Sequence, residues 1–255
     1  MYDDLDRPPL RPGPLARALA PDGWRVEVLA ETGSTNEVVT QRARAGEPAG
    51  LVVVAESQTA GRGRLDRTWV SPPRAGLTVS VLMRPDLTPA QWPWLPLLTG
   101  LAVATALAEQ AEVDAVLKWP NDVLVGGRKV CGVLVEVPEQ GAAVLGIGLN
   151  ISTRADELPH DAATSLRQEG AATTDRGTLL RATLRALTVL MGDVEAAQQA
   201  YRERCSTIGA QVRIELPTGA AVVGTAQAVD DTGRIVVDGT AYDVGDLVHL
   251  RPVSG

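Results

Sequence analysis

The run Leu51-Val-Val-Val-Ala55 constrains the fold more than any other stretch of the chain. An unbroken β-branched run without polar alternation makes a strand buried on both faces, so the sheet that contains it needs cover on either side. The run delivers a segment of opposite character, Glu56-Ser-Gln-Thr-Ala-Gly-Arg-Gly-Arg-Leu-Asp-Arg-Thr-Trp-Val-Ser71. Gly61 and Gly63 let the backbone take positive φ or approach a ligand closely, and Arg62, Arg64 and Arg67 carry planar cationic forks suited to carboxylate or phosphate. Trp69 at the end of such a loop is able to cover a flat ring such as a purine. On composition alone a solvated turn is the commoner reading of this segment, and the rest of the chain decides between the two.

Upstream, Trp24 to Ala30 alternates apolar and charged residues as a strand does. Ser34-Thr35-Asn36-Glu37 has the form of a capping box that opens a helix, with Gly46 at its end. A helix start also offers free N–H groups to a polar ligand. Downstream, Gly76 to Met83 reads as a strand and Pro96 to Gln110 as a core helix, with Trp92 and Trp94 packing at its entrance. Val116 to Trp119 is a strand turned by Pro120-Asn121-Asp122, Gly126-Gly127 makes a hairpin into Lys129 to Val137, and Ala142 to Asn150 is another strand. The fold class is therefore α+β, with a mixed, largely antiparallel sheet and helices around it.

Asp175 to Cys205 predicts one long or broken helix, interrupted near Gly192. Beyond Ile208 the texture changes to short strands, Val212 to Leu216, Ala221 to Val229, Ile235 to Val237 and Leu247 to Leu250, as in a small β barrel. Four prolines among charges make residues 1–14 an extended, weakly ordered tail, followed by a short helix near Leu15 to Ala20. The expected organisation is a tail over 1–14, a catalytic domain over 15–207 and a small β domain over 208–255.

A net charge of -7 argues against a general nucleic-acid binder, because phosphate neutralisation needs a basic face. Two cysteines far apart, Cys131 and Cys205, form no disulfide framework or zinc spacing, and Cys131 reads as a small core residue. The compartment this implies is a reducing cytoplasm. No run is apolar enough to span a bilayer, and Met1 to Pro14 lacks the parts of a signal peptide. No P-loop or complete dinucleotide fingerprint is present, and His160 and His249, the two histidines, do not build a triad or a zinc site.

The Gln58 to Arg64 segment does not stand alone. It is followed by Lys118-Trp-Pro-Asn-Asp122, Arg128-Lys-Val-Cys-Gly132 and Gly146-Ile-Gly-Leu-Asn150, and preceded by Ser34-Thr-Asn36. In this order these segments resemble the catalytic domain of biotin protein ligases, over residues 25 to 153. The resemblance implies a catalytic fold similar to class II aminoacyl-tRNA synthetases, followed by a domain similar to an SH3 barrel. It implies an enzyme that activates biotin with ATP to biotinyl-5'-AMP and passes it to a lysine of a biotin carboxyl carrier domain. Ser34, Thr35 and Asn36 would then face the ureido ring, and Gln58, Gly63 and Gly132 would contact biotin. Arg62, Arg64 and Lys129 would supply the cations that let a carboxylate approach the α-phosphate. Trp69 would cover the adenine, Asn150 would meet its edge, and Arg67, Lys118 and Asn121 would lie near the phosphates. Asp122 would orient the acceptor lysine and take its proton. Magnesium would accompany ATP with few protein ligands of its own.

Blander readings stay open for single residues: Lys129 as an exposed hairpin lysine, Asn150 as a strand-end asparagine, Asp122 as a turn aspartate. Asp66 departs from the family, which commonly has glycine there, and the expectation is a positive φ at that position. No helix-turn-helix precedes the catalytic segments, so DNA binding is not expected. The rival functions are an adenylating ligase for lipoate or another short acid, and a non-catalytic module whose arginine loop touches RNA or protein.

Overall fold

The computed structural model describes residues 6–65, 67–139, 141–216 and 220–243, together with the backbone of 246–249. Asp66 and Leu250, on which two of the expectations fall, lie outside the described residues. In chain order the elements are α1 (Pro12–Leu19), β1 (Arg25–Leu29), α2 (Thr35–Arg44), β2 (Leu51–Ala55), β3 (Gly76–Met83) and α3 (Leu95–Ala111). Then come β4 (Ala115–Lys118), β5 (Asp122–Val125), β6 (Arg128–Glu139), β7 (Ala142–Asn150), α4 (Arg176–Gly192) and α5 (Val194–Arg204). The chain closes with β8 (Gln211–Glu215), β9 (Ala221–Val229), β10 (Ile235–Val237), β11 (Thr240–Tyr242) and β12 (Asp246–His249).

A seven-stranded sheet runs in the order β1-β2-β3-β7-β6-β5-β4. β1 and β2 are parallel and the remaining neighbours antiparallel. The β2 run is buried throughout, as its composition demands. Val52 and Val54 point into the large core, which α3 and α4 cover, while Leu51 and Val53 point to a smaller cluster with Val39 and Ala43 of α2. The sheet thus lies between helices, and the side that carries only α2 is half uncovered.

β8 to β12 form a five-stranded sheet in the order β11-β10-β9-β8-β12, antiparallel and open rather than closed into a barrel. β11 was not expected from sequence, because Thr240-Ala-Tyr242 is too short to show a period. The turn between β9 and β10 is seated on the first domain. The Trp94 indole donates to the Asp231 carbonyl at 2.9 Å and the Trp119 indole to the Gly233 carbonyl at 3.0 Å.

The helix break is at Asp193, whose carboxylate caps α5 by accepting from the Ala196 N–H. The N-terminal segment departs from the expected loose tail. Arg7 is buried, pairs with Glu157 and donates to the Ser152 carbonyl, while Arg176 donates to the Pro8 carbonyl and Leu10 N–H to Glu56. Prolines keep this stretch extended, and extended backbone is what long-range side chains are able to clasp.

Candidate active site

Strand parity builds the site. On β7 the residues Leu145, Ile147 and Leu149 enter the core, which turns Gly146, Gly148 and Asn150 to the other face. In register beside them on β6, Gly132 pairs with Gly148 and Leu134 with Gly146. One strand further Asp122 pairs with Gly132, and Lys118 pairs with Asp122. Thr78 and Ser80 occupy the same face of β3, since Leu77, Val79 and Val81 enter the core. The uncovered part of this face is the floor of a cavity of about 470 Å3, walled by the start of α2 and by the loop after β2.

One end of the cavity is a buried hydrogen-bonded cluster. α2 begins where the sequence predicts, but its capping box does not form: the Ser34 side chain makes no cap hydrogen bond. Gln58 takes that place, its Oε1 accepting from the Thr35 N–H at 2.8 Å and standing 3.1 Å from the Thr35 hydroxyl. Ser80, wholly buried, is 2.7 Å from the Thr35 hydroxyl and 2.6 Å from Asn36 Oδ1. Asn36 Nδ2 donates to Glu136 Oε2 at 2.7 Å and to the Leu134 carbonyl at 3.3 Å. Gly146 has no side chain because a Cβ there would stand 2.3 Å from Asn36 Oδ1.

The other end is cationic and flat. Arg62 pairs with Glu136 at 2.8 Å, and Arg64 donates to Asn121 Oδ1 at 3.4 Å. Lys129 Nζ lies 2.6 Å from Asp122 Oδ1 as an ion pair, although this oxygen has no partner aligned as a hydrogen bond. The same ammonium stands 5.8 Å from the centre of the Trp69 ring, within cation–π range. Trp69 lies in the depression left by the paired glycines: a Cβ on Gly148 would be 2.4 Å from its ring, and one on Gly132 3.2 Å. Its indole N–H is buried and makes no hydrogen bond among the described residues. The loop that carries it is closed by backbone bonds from Gly63 N–H to the Arg67 carbonyl at 2.6 Å and from Trp69 N–H to the Gly61 carbonyl at 3.0 Å. Leu65 within it has φ 53, so the left-handed residue of this turn among those described is Leu65.

Every residue to which the resemblance gives a ligand contact lines this cavity: Ser34, Thr35 and Asn36 with Gln58 at one end, and Arg62, Gly63, Arg64, Arg67 and Trp69 along the loop. Lys118, Asn121, Asp122, Lys129, Gly132 and Asn150 complete it from the sheet. Asn150 is 4% exposed and donates to the Thr164 carbonyl, so only part of its amide faces the cavity. Cys131, on the core side of β6, is wholly buried, and burial pushes its thiol up to about 12 against the pull of Lys129. Sequence reasoning missed Ser80 and Glu136, and it gave no role to the segment 159–164, which lies along Lys129 through hydrogen bonds with Ala162 and Thr164. For Ser80 and Glu136 the alternation of apolar and polar residues on β3 and β6 was a usable signal. The segment 159–164 has no period to read.

Comparison with known proteins agrees with this geometry. Residues 28–151 match the biotin/lipoate A/B protein ligase family, and residues 207–245 match the biotin protein ligase C terminal domain. The chain is 43% identical to the biotin–[acetyl-CoA-carboxylase] ligase of Mycobacterium tuberculosis, over 97% of this chain and 98% of that one. Among solved structures it is similar to the biotin protein ligase from Aquifex aeolicus in complex with biotin and ATP, with TM-score 0.75, 28% identity and coverage of 89% and 98%. It is also similar to the Leishmania major enzyme in complex with biotinyl-5-AMP, with TM-score 0.62, 27% identity and the same coverage. With its catalytic region and its C-terminal domain both matched, the chain belongs to the biotin protein ligase family.

Proposed function

We propose that this cavity joins biotin to ATP and then presents the activated biotin to a lysine, with each end serving one reactant. The chain is an ATP-dependent biotin protein ligase, and the assignments of individual residues are our reading. What carries them is the convergence of a buried neutral hydrogen-bonding cluster and a cationic loop on one floor. The cluster of Thr35, Asn36 and Gln58 suits the ureido ring, because a site built from buried donors and acceptors penalises a ligand that leaves them unpaired. The dithiolane of lipoate would do so.

Arg62, Arg64 and Lys129 draw the biotin carboxylate and the α-phosphate together. A carboxylate oxygen attacks the phosphorus, the bond to the pyrophosphate oxygen breaks, and pyrophosphate departs with the electron pair. Cations fixed where charge accumulates favour that step. The indole of Trp69, with an unused N–H, covers the adenine; Arg67, Lys118 and Asn121 border the phosphates, and Asn150 borders the ring. In the second step the acceptor amine attacks the acyl carbon, AMP leaves with the electron pair of the anhydride oxygen, and Asp122 takes the proton of the amine. Among the described residues no group of three or more His, Cys, Asp or Glu is placed to hold a metal. Magnesium would accompany the nucleotide and would need few protein ligands of its own, neutralising phosphate charge when bound. The acceptor is the carrier domain of a biotin-dependent carboxylase, following the relative named for acetyl-CoA carboxylase. None of the described helices is long and apolar enough to cross a membrane.

The test is exchange of labelled pyrophosphate into ATP without acceptor. Exchange is expected with biotin and not with lipoate. Exchange driven by lipoate alone would overturn the assignment of the ureido end.

A further inference from the structure

We propose that Glu136 is a positioning residue for biotin, acting through Asn36 and Ser80 on the hydroxyl of Thr35; the inference rests on the biotin reading above. Its basis is a proton count. The Asn36 amide faces two groups that only accept, the Glu136 carboxylate at 2.7 Å and the Leu134 carbonyl at 3.3 Å. Its nitrogen must point at them, which turns Oδ1 to Ser80 at 2.6 Å. An amide oxygen cannot donate, so the one proton of Ser80 goes to Asn36. The contact of 2.7 Å between Ser80 and Thr35 then needs the proton of Thr35. Gln58 Oε1 keeps a second lone pair and stands 3.1 Å from the same hydroxyl, but the shorter contact to Ser80 takes the proton. The Thr35 proton thus lies on Ser80, and its lone pairs are what it offers to the cavity.

A hydroxyl that only accepts selects for a ligand N–H. The ureido ring has two such groups and a dithiolane has none, so the direction of the relay is a specificity device. Glu136 sets that direction because it is the charged acceptor at the outer end. It stands on β6 with its side chain on the floor face by parity, and it borders a second, wider cleft of about 810 Å3 on the other side. Arg62 Nη2 reaches the same carboxylate oxygen at 2.8 Å, which holds the acceptor in place from the cleft side. Removing the carboxylate leaves Asn36 with only the longer bond to Leu134 and frees its amide to turn over. Ser80 would then face a donor, and Thr35 would be free to turn its proton outward.

The experiment is steady-state pyrophosphate exchange with biotin and with desthiobiotin, which keeps the ureido ring and lacks the sulfur. Glu136→Ala should raise the KM for both by about tenfold, the scale of one buried hydrogen bond, with the KM for ATP and kcat within about twofold. Glu136→Gln, which keeps an acceptor oxygen, should recover most of the loss. Ser80→Ala, which cuts the relay without touching Arg62, should reproduce the selective rise. An unchanged biotin KM in Glu136→Ala would overturn the proposal. So would a normal Ser80→Ala beside an impaired Glu136→Ala, because the effect would then run through Arg62, and so would a parallel drift of all parameters with a lowered Tm. Wild-type enzyme without biotin-dependent exchange would instead remove the functional reading on which the proposal stands.

Discussion

Lys129 is held by Asp122 and by the face of Trp69, so its ammonium is fixed at the middle of the cavity rather than swinging in solvent. A cation fixed in this way gains most when charge builds up in the transition state. Lys129→Ala should slow adenylate formation by about 10²-fold while ATP binding weakens far less, read by single-turnover rates beside nucleotide titration. An equal loss in both would make it a binding residue only. Gly148 tests the other wall. Its Cβ would stand 2.4 Å from the Trp69 ring, so Gly148→Ala must push the indole off its floor. An overpacking penalty of roughly 1–3 kcal/mol should appear in the KM for ATP more than in the KM for biotin. The residues behind these predictions were legible in sequence because their types sit in short contiguous motifs. Ser80 and Glu136 were legible only as polar positions on apolar strands, since their role lies in partners more than forty residues away along the chain.

At the scale of elements, the turn between β9 and β10 is the join between the two domains. Within it Asp230 accepts from Thr232 and Arg234; burial opposes its charge, yet these hydrogen bonds win and hold its carboxyl below the usual value. The turn so shaped gives its Gly233 carbonyl to the Trp119 indole, one residue before Pro120-Asn121-Asp122. Trp119→Phe should leave that buried carbonyl unpaired and cost about 1–3 kcal/mol in denaturant unfolding. A stability within error of wild type would show that the join is held elsewhere. Sequence periodicity gave away β2, β3 and β7 with their bounds, because an apolar strand announces itself. It predicted a capping box at Ser34 that is not formed, because nothing local reveals that Gln58 supplies the acceptor.

For the whole molecule, the sheet has one face largely buried beneath α3 and α4 and one half open, and the candidate site lies in the open half. The segment before α1 is held through Arg7 with Glu157, Arg176 with the Pro8 carbonyl and the Leu10 N–H with Glu56. The hydrogen bond from Arg7 holds the Glu157 carboxyl below its usual 4.5. A depressed carboxyl stabilises the fold above its unfolded value, and the contribution disappears as pH falls through the folded value. Glu157→Gln should therefore cost about 1 kcal/mol at neutral pH, solvent screening included, and progressively less as pH falls through the depressed folded value, by denaturant unfolding at each pH. A cost independent of pH would remove the charged pair from the account. The prolines before α1 read as a loose tail because the groups that clasp them come from the far end of the domain.

The central claim is that one cavity carries both half-reactions, and a single-turnover chase reads both. Enzyme is mixed with biotin and ATP labelled at the α-phosphate, without acceptor, and a carrier domain is then added. One retained biotinyl-5'-AMP per chain is expected, converting to free AMP on the chase as biotin appears on a single carrier lysine. Label that stays in ATP, or an adenylate that forms and decays without biotin reaching that lysine, would contradict it.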